Sequence, residues 1–401
     1  MTKHKKPTTK NIPILNGYWG IFNEFNSAPE DRWDPFRTII DKNGIKIGHH
    51  TFISTFRYDK PHEYTRRKGI IEVKGAKEGE DSFCHLVEGK LPSIVISKDL
   101  TVSKDPLSTE PVFENLRSYK VFSTINLYPA MPRIFPSKKY FTERNIIKGI
   151  SLVHVFSKHY ITLEEIPKEE LVIYLKNISL TIKAAREALT AEESEKINIY
   201  HFYNIGLNAG ASIPHFHSQT LVHINSYGHG WKNQGFITAH EEHRVLTGDN
   251  SYCLGCKYSD RIDTDPLGQE LNFKERLIWE NSHWMITAAF APEKDGQLRI
   301  LPKRHVSAIW QLMEEEIKTL AKTLLTANIM LTRFINEFGE KLLILQDRNI
   351  VFRQQHSNFH MLIDIIPVQQ VGGVEVLDNY RLSTFLPEDT ANYMKDLLKL
   401  D

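Results

Sequence analysis

The feature that most constrains the fold is an internal repeat of strand, helix and strand. In the first copy a strand-like run ends at His159, an acidic helix start follows, and a later strand carries His215. In the second copy His305 ends the first strand and His360 begins the last. The two histidines are 56 residues apart in the first copy and 55 in the second. Matching order and matching intervals predict an internal duplication.

The repeated order predicts an α+β protein with largely antiparallel sheets. The runs INIYHFYNIG and FHMLIDIIP favour strands, whereas the segments between the paired histidines have the apolar spacing of amphipathic helices. A chain of 401 residues is long enough for two ordinary domains. We predict a disordered tail at 1–30, a first domain at 31–240 and a second at 241–401.

Composition argues against several classes of protein. Lys and Arg total 50 and Asp and Glu total 49, so a net charge of +1 predicts no nucleic-acid or membrane partner. No apolar run approaches the roughly 20 residues that span a bilayer. The three cysteines cannot build a disulfide framework and fit a reducing compartment, so we expect a cytoplasmic protein.

The second copy contains a full set of zinc ligands. Cys253 and Cys256 form a C-x-x-C pair, and His305 and His360 complete a tetrahedral Cys2His2 set. Four protein ligands leave no position for water, which favours a structural Zn²⁺ site. The alternative is a pair of buried thiols in a tight turn.

The first copy contains an incomplete counterpart of that set. Cys84, His159 and His215 occupy the matching places, and Asp81 stands where the first cysteine of a C-x-x-C would be. A carboxylate can bind zinc, so the four residues could hold a second ion. The alternative is a decayed site in which hydrogen bonds replace the metal, because exchanging Cys for Asp changes both softness and charge. Both alternatives stay open.

The segment ASIPHFHSQT, residues 211–220, places chemistry on one face of a strand. His215, His217 and Gln219 alternate and would point to one side, with Phe216 opposite. Such polar groups make a poor core. A neutral imidazole is a competent nucleophile near neutral pH. The alternative is a solvated strand face that happens to hold two histidines.

These motifs resemble the galactose-1-phosphate uridylyltransferase-like family of the histidine-triad (HIT) superfamily. That family includes nucleotide-sugar phosphorylases and dinucleoside-tetraphosphate phosphorylases. The resemblance runs from about Asp34 to the C-terminus. In chain order the matching segments are FISTFRYDKP, VFSTINLYPAMP, FSKHYITL, FYNIGLNAGASIPHFHSQ, CLGC, ERLIWENSHW, ILPKRH, HMLIDIIP and VGGVEVLDNYRLSTFLPEDTA.

The resemblance implies a fold, an assembly and a mechanism. The fold would be two tandem HIT-like domains, each an antiparallel β-sheet with packed helices, usually in a homodimer. His217 would attack the α-phosphate of a nucleotide and carry the nucleotidyl group as a covalent phosphoramidate. A nearby backbone carbonyl would orient its other ring nitrogen. Gln219 would donate to phosphate oxygens as charge shifts, and Ser212 would offer its hydroxyl.

The same resemblance implies substrate contacts. Arg57 would supply bidentate charge, and the segment Gly210-Ala211-Ser212 would let backbone N–H groups approach phosphate. Asn126 would contact nucleobase or ribose, and Glu375 sugar hydroxyls. The complete set is Arg57, Lys60, Asn126, Asn204, Gly210, Ala211, Gly372, Gly373, Glu375 and Arg381. For several of these the alternative is a plain turn residue or a solvated surface charge.

Three departures from the family bear on the substrate. Asp81 replaces a metal cysteine, Phe216 stands where uridylyltransferases have proline, and Lys60 where they often have arginine. The nucleophile is intact, so we predict a nucleotidyltransferase that exchanges a nucleotide sugar with a sugar 1-phosphate. One alternative is phosphorolysis of a nucleotide sugar or a dinucleoside polyphosphate by phosphate. Another is a catalytically silent nucleotide-binding module.

Overall fold

A computed structural model describes most of the chain. The described residues are 30–40, 46–53, 64–67, 70–73, 77–103, 112–126, 149–187, 189, 197–223, 228–262, 264–268, 270–354, 359–378 and 381–398. The predicted contacts Arg57 and Lys60 lie outside them, as does the predicted tail except Glu30, which begins the first strand.

Strands supply the frame of the described part. They are β1 Glu30–Ile40, β2 Lys46–Ile53, β3 Tyr64–Arg67, β4 Ile70–Val73, β5 Val95–Lys98, β6 Thr101–Val102, β7 Val121–Ile125, β8 Gly149–Phe156, β9 Asn198–Ile205, β10 His217–His223, β11 Gly228–Gly230, β12 Leu277–Glu280, β13 Trp284–Ala288, β14 Leu298–Pro302, β15 Ile344–Arg353 and β16 Leu362–Gln369. The helices are α1 Ser82–Val87, α2 Lys168–Glu187, α3 Trp231–Thr247, α4 Leu254–Ser259, α5 Phe273–Arg276, α6 Glu314–Leu342, α7 Gly373–Asp378 and α8 Pro387–Leu398. Short 3-10 turns span Leu163–Glu165, Leu207–Ala209 and Ile309–Gln311.

Eleven of these strands form one antiparallel sheet, in the order β12-β13-β14-β16-β15-β9-β10-β8-β7-β5-β6. The order β13-β14-β16-β15 is followed by its mirror counterpart β9-β10-β8-β7, so each of these four strands has an equivalent in the other half. The antiparallel α+β fold predicted from the sequence is confirmed, and the repeated elements appear in the predicted order.

The two halves meet where β9 pairs with β15, and there Asn204 lies opposite Asn349. These two residues are 145 positions apart, the same interval that separates His215 from His360. The meeting point is therefore an approximate twofold axis of the sheet, and the loops that lead from it to the two histidines have equal length.

Helices α2 and α6 cover one face of the sheet and pack against each other. Helix α6 begins where the Glu316 carboxylate accepts the Met313 N–H at 2.7 Å, and it ends at Leu343 in the left-handed conformation (φ 55°). Three glutamates in its first turn complement the helix dipole. Trp284 of β13 is fully buried beneath α6 and donates its indole N–H to the Glu316 carbonyl at 2.8 Å. Among the described helices, none is both long and apolar enough to cross a membrane.

The interior beneath α2 contains a buried polar cluster around Thr220. The Thr220 hydroxyl contacts ring nitrogens of His154 and His201, each at 2.8 Å. Burial lowers the pKa of His201 to about 3 and the pKa of His154 well below its usual value, so both rings are neutral. The position equivalent to Thr220, 145 residues on, is Ile365. The hydrogen bonds of Thr220 anchor β10 in the half that carries H-x-H.

Asp295, in the turn between β13 and β14, fixes the C-terminal segment to the sheet. It is 1% exposed. Its carboxylate accepts hydrogen bonds from the Ser383 hydroxyl, the Thr384 N–H and hydroxyl, and the Gln369 amide, at 2.7 to 3.0 Å. Burial would raise the pKa of Asp295, but these donors outweigh burial and lower the pKa. The carboxylate therefore stays charged and holds the segment that leads into α8.

We predict that Asp295→Ala lowers the free energy of unfolding by about 3 kcal/mol, because several buried donors lose a charged acceptor. Urea denaturation measures the change. Glu340→Ala, at an exposed position near the end of α6, is the matched control and should change stability by less than about 0.5 kcal/mol. Equal effects of the two substitutions would contradict the anchoring role.

Candidate active site and metal centres

Strand β10 presents two chemically different faces, as the alternation of its residues predicts. Phe216 lies in the main core beneath α2, and the Ser218 hydroxyl contacts the hydroxyl of Tyr174 in α2 at 2.8 Å. On the opposite face, Gln219 is half-buried and the His217 ring lies 4.8 Å from the Phe83 ring, between centroids. His217 and Gln219 thus share the face away from the helices.

The ring of His217 is oriented by the backbone. Its Nδ1 lies 2.8 Å from the carbonyl oxygen of His215, two residues earlier. A carbonyl can only accept, so Nδ1 carries the proton and Nε2 keeps its lone pair. The side chain is 7% exposed, which holds the ring in place. The sequence predicts that some carbonyl plays this role, and the structure identifies it.

The loop before β10 has a shape that needs two glycines. Gly206 (φ 88°) and Gly210 (φ 95°) both adopt positive φ, on either side of the turn Leu207–Ala209. The N–H groups of Gly210 and Ala211 donate to the carbonyls of Leu207 and Gly206, at 3.0 and 3.1 Å. Within the described residues the N–H of Ser212 has no acceptor. Of the three N–H groups predicted to approach phosphate, that of Ser212 is therefore the one available.

Asn204 belongs to strand β9 and is not a turn residue. Its amide oxygen accepts from Asn349 at 2.9 Å, and its amide nitrogen lies 3.4 Å from the Gly210 carbonyl. The side chain of Asn204 therefore connects the loop before β10 to the second half of the sheet. Asn349 has no recognisable motif in the sequence, and its partnership appears only once β9 and β15 are paired.

The four predicted ligands of the second half converge. The Cys253 sulfur lies 3.4 Å from Nδ1 of His360, and the Cys256 sulfur lies 3.5 Å from Nδ1 of His305 and 3.6 Å from Nδ1 of His360. All four ligand atoms lie within 4.8 Å of one another. Tetrahedral zinc needs donor separations of about 3.3–3.8 Å, given zinc–ligand bonds of about 2.0–2.3 Å.

The surroundings of this cluster prepare its donors. Nε2 of His360 donates to the Pro302 carbonyl at 3.0 Å, so its Nδ1 lone pair faces the centre. The hydrogen bond with Cys256 lowers the pKa of Cys253 most, and the two histidines add to that effect. A Cβ on Gly255 would overlap the ring of His360, so the residue directly before Cys256 must be glycine.

The first half builds the same frame around Asp81. Asp81 caps α1 as Cys253 caps α4. One oxygen, Oδ1, accepts the N–H groups of Phe83 and Cys84 at 2.7 and 2.9 Å. His215 donates Nε2–H to the Phe156 carbonyl at 2.9 Å, the counterpart of the Pro302 contact, and its Nδ1 lies 3.3 Å from Asp81.

The donors of this first centre fit a divalent metal ion. Asp81, Cys84 and His215 bring their ligand atoms within 4.8 Å of one another. Nε2 of His159 is buried, lies 3.6 Å from Asp81 Oδ2, and has no hydrogen-bond partner among the described residues. A buried ring nitrogen that faces a carboxylate without a hydrogen bond is suited to bind a metal ion that the carboxylate shares.

Proton positions in the first centre follow from its contacts. Burial alone would raise the pKa of Asp81, but the hydrogen bond and charge of His215 outweigh it and lower the pKa to about 2. Burial, followed by the hydrogen bond to Asp81, raises the pKa of Cys84 to about 12. The thiol then donates to Asp81 Oδ2 at 2.8 Å. A bound metal would have to replace that proton, because a ligating thiol is deprotonated.

The C-terminal predicted residues do not lie with His217 in one chain. Glu375 pairs with Lys294 at 3.0 Å and accepts the Gly372 N–H at 2.8 Å. Lys294 precedes β14, which is four strands from β10 and therefore about 19 Å away. Arg381 lies beside Glu375, at 3.4 Å from its carbonyl. A side chain at Gly372 or Gly373 would meet no close atom, so neither glycine is required by crowding. Asn126 follows β7, and its N–H donates to the Ser151 carbonyl at 2.8 Å.

The second half has the same strands and ligand positions but no histidine at the position equivalent to His217. The position equivalent to His217 is Leu362, which packs in a cluster with Phe273 and Met285, and Phe236 of α3 lies against it. The guanidinium groups of Arg299 and Arg353 lie 5.5 and 5.3 Å from the centre of the Phe236 ring. Helix α3 thus covers the face of the second half that corresponds to the His217 face of the first.

Comparison with known proteins points in one direction. No family model matches the chain. The galactose-1-phosphate uridylyltransferase of Haemophilus influenzae is 28% identical over 144 residues, which are 36% of this chain and 37% of that enzyme. The ADP-glucose phosphorylase of Arabidopsis thaliana is 26% identical over 290 residues, which are 68% of this chain and 73% of that protein.

Solved structures show the same two kinds of protein. An ADP-glucose phosphorylase from Arabidopsis thaliana with bound ADP-glucose aligns with a TM-score of 0.56 at 20% identity, over 92% of this chain and 99% of that one. A uridylyltransferase aligns with a TM-score of 0.54 at 22% identity, over 70% and 85%. At these identities the structures speak for the fold. Together with the sequence relatives they confirm the predicted resemblance to uridylyltransferase-like proteins.

We predict that Gly255→Ala lowers the free energy of unfolding by about 2 kcal/mol, because the added methyl group displaces the His360 ring. Urea denaturation provides the measurement. Gly235→Ala is the matched control, since an added Cβ there meets nothing and alanine favours the interior of α3. That control should stabilise by up to about 1 kcal/mol. If Gly255→Ala left the free energy of unfolding unchanged, the cluster would tolerate movement of the His360 ring.

Proposed function

We propose that this chain is a nucleotidyltransferase that works through a covalent nucleotidyl group on His217. The observation that carries the proposal is the oriented ring, whose Nδ1–H is held by the His215 carbonyl at 2.8 Å while Nε2 remains a base. Gln219 lies two residues on and faces the same side of β10. The sequence relatives are named as enzymes of nucleotide-sugar chemistry, which supports the same reaction class.

The reaction follows from this geometry in two displacements. Nε2 of His217 attacks the α-phosphorus of the nucleotide, an N–P bond forms, and the bond from phosphorus to the leaving phosphate oxygen breaks with its electron pair. In the second displacement an oxygen of the acceptor phosphate attacks the same phosphorus, and the N–P bond electrons return to the ring. Each displacement exchanges one bond to phosphorus for another, so no redox partner is needed.

The protein contributes orientation and charge stabilisation. As the ring of His217 becomes positive, its Nδ1–H bond to the His215 carbonyl strengthens and stabilises the cation. The amide of Gln219 and the N–H and hydroxyl of Ser212 would donate to the phosphate oxygens. Both act in a site that is already ordered, because β10 is hydrogen-bonded on both edges, to β8 and β9.

The substrate pair we favour is a nucleotide sugar and a sugar 1-phosphate. A second candidate is phosphorolysis of a nucleotide sugar or dinucleoside polyphosphate by inorganic phosphate. The second is supported by one observation, since the ADP-glucose phosphorylase aligns over 68% of this chain and the uridylyltransferase over 36%. A silent nucleotide-binding module is the third reading, and the oriented Nε2 argues against it.

We also propose Zn²⁺ at both metal centres. Cys253, Cys256, His305 and His360 would hold one ion, whose role is to fix the fold. Asp81, Cys84, His159 and His215 would hold the other with one sulfur fewer and a carboxylate in its place. When bound, that second ion would stabilise the position of His215, the residue whose carbonyl orients His217.

Domain limits and assembly remain part of the proposal. We propose domains at 31–240 and 241–401, joined through one sheet, in a cytoplasmic homodimer with no nucleic-acid or membrane partner. Glu375 is too far from His217 in one chain to contact the same sugar. Its predicted role needs either a second chain or a rearrangement of the C-terminal segment.

We predict that the wild-type protein, incubated with UDP-glucose or ADP-glucose, gains the mass of one nucleotidyl group that is lost in acid. His217→Asn should abolish this adduct and reduce turnover by roughly 1,000-fold or more while leaving the fold intact. Intact-mass spectrometry and circular dichroism supply the two measurements. His283→Asn, remote from β10, should retain the adduct. Nucleotide binding without an adduct from any donor would favour the silent binding module.

We predict two zinc atoms per purified chain, measured by inductively coupled plasma mass spectrometry. Cys256→Ser and Cys84→Ser should each reduce the content to about one, because each removes a thiolate from a different centre. Asp260→Ala, at an exposed position, should keep two. A single zinc that survives Cys84→Ser but not Cys256→Ser would mean that hydrogen bonds have replaced the metal at Asp81.

A further inference from the structure

We propose that the second half of the chain, in which Leu362 stands at the position equivalent to His217, acts on the reaction by holding the nucleophile loop in shape. The nucleophile loop is defined as residues 206–216, between β9 and β10. The positioning residues are Asn349 and Asp347 of β15. This inference rests on the proposed function of His217, but its structural part is separately testable.

Asn349 holds the centre of the loop. Its amide nitrogen donates to Oδ1 of Asn204 and to the carbonyl of Ala209, each at 2.9 Å. Asn204 in turn contacts the carbonyl of Gly210 at 3.4 Å. The N–H groups that follow these carbonyls, those of Gly210 and Ala211, are already bound inside the loop. Both peptide planes are therefore fixed at each end, and a planar peptide cannot then rotate alone.

Asp347 holds the start of the loop. Its Oδ2 accepts the backbone N–H of Asn208 at 2.6 Å and the side-chain amide of Asn208 at 2.7 Å. Hydrogen bonds to a carboxylate are stronger than those between neutral groups. The same carboxylate packs on Gly206 so closely that a Cβ there would overlap it. The positive φ of Gly206 and its contact with Asp347 thus depend on each other.

The loop borders a cavity on the side that faces the second half. This cavity has a volume of about 650 Å³ and is lined by residues of both halves. Its lining includes Leu207 and Ile213 from the loop, and Thr332 and Arg348 from the second half. A loop with two positive-φ glycines over a cavity has many conformations available. The hydrogen bonds from β15 select one, and that one leads to Ser212 and to the carbonyl that orients His217.

A merely structural role and a positioning role predict different results. If Asn349 and Asp347 only stabilise the fold, their removal lowers the unfolding midpoint without a selective effect on the first displacement. If they position the loop, the rate of nucleotidyl transfer to His217 falls while the affinity for nucleotide changes little. Small displacements of reacting groups cost up to about 100-fold in rate.

The test compares Asn349→Ala, Asp347→Ala and Asp347→Asn with Leu345→Ala, an exposed position on the same strand. Single-turnover formation of the His217 adduct, with whichever of UDP-glucose or ADP-glucose charges the wild type, should slow by about 10- to 100-fold in both alanine variants. Binding of UMP or AMP should change by less than about threefold. Asp347→Asn, which keeps one acceptor, should recover part of the rate. Equal losses in rate and affinity, or no loss of rate, would overturn the proposal.

Hydrogen exchange of the loop gives a readout that does not depend on activity. Peptides spanning 203–214 should exchange faster in Asn349→Ala and Asp347→Ala than in the wild type or Leu345→Ala, at unchanged global stability. Unchanged exchange would overturn the positioning role even if the enzyme is active. If the wild type forms no adduct while the exchange difference is present, the proposed function fails and the positioning contacts stand.

Discussion

The antiparallel pairing of β9 with β15 is the contact on which the rest of the structure depends. It converts two similar half-sheets into one sheet of eleven strands and places Asn204 opposite Asn349 at the approximate twofold axis. A pairing slipped by one residue would send these side chains to different faces, because side chains alternate with a period of two. The register therefore decides which residues of the second half can reach the loop that precedes His217.

The two candidate metal centres show how the two halves have diverged on one frame. Both use a helix cap, a residue three positions later, and a histidine whose Nε2 donates to the last carbonyl of a strand. Only in the first half does the chain continue from that histidine to a second one, His217, whose Nδ1 lies 2.8 Å from a backbone carbonyl. In the second half Leu362 takes this place and Phe236 closes the face. Apolar burial there contributes stability, about 2 kcal/mol for each large side chain, whereas the first half places the polar side chains His217 and Gln219 on the corresponding face.

Sequence patterns could predict the local and repeated features. Strands β8, β9, β14 and β16, helices α2 and α6, the Cys253 cluster and the faces of β10 all follow from periodicity, spacing or ligand type, which are properties of short segments. The hydrogen bonds from Asn349 and Asp347 to the loop before β10 could not be predicted, because they depend on which strands pair and in which register. The separation of Glu375 from His217 could not be predicted either, because it also depends on the strand order. A family motif assigns a role to a residue without saying which chain of an assembly performs it.

The two halves also differ on the side of the sheet that the helices cover, where β10 carries polar residues. Thr220 and Ser218 of β10 bond to histidine and tyrosine side chains, whereas their equivalents in β16 are Ile365 and Ile363. Buried polar contacts contribute less to stability than apolar packing, yet they fix direction, because a hydrogen bond weakens steeply when misaligned. A face of isoleucines would keep the strand buried equally well, but apolar contacts would not fix the rotation of the strand about its own axis. Under the proposed mechanism β10 must aim one imidazole nitrogen at phosphorus, so it gains from that added constraint, and a strand that only closes a core does not.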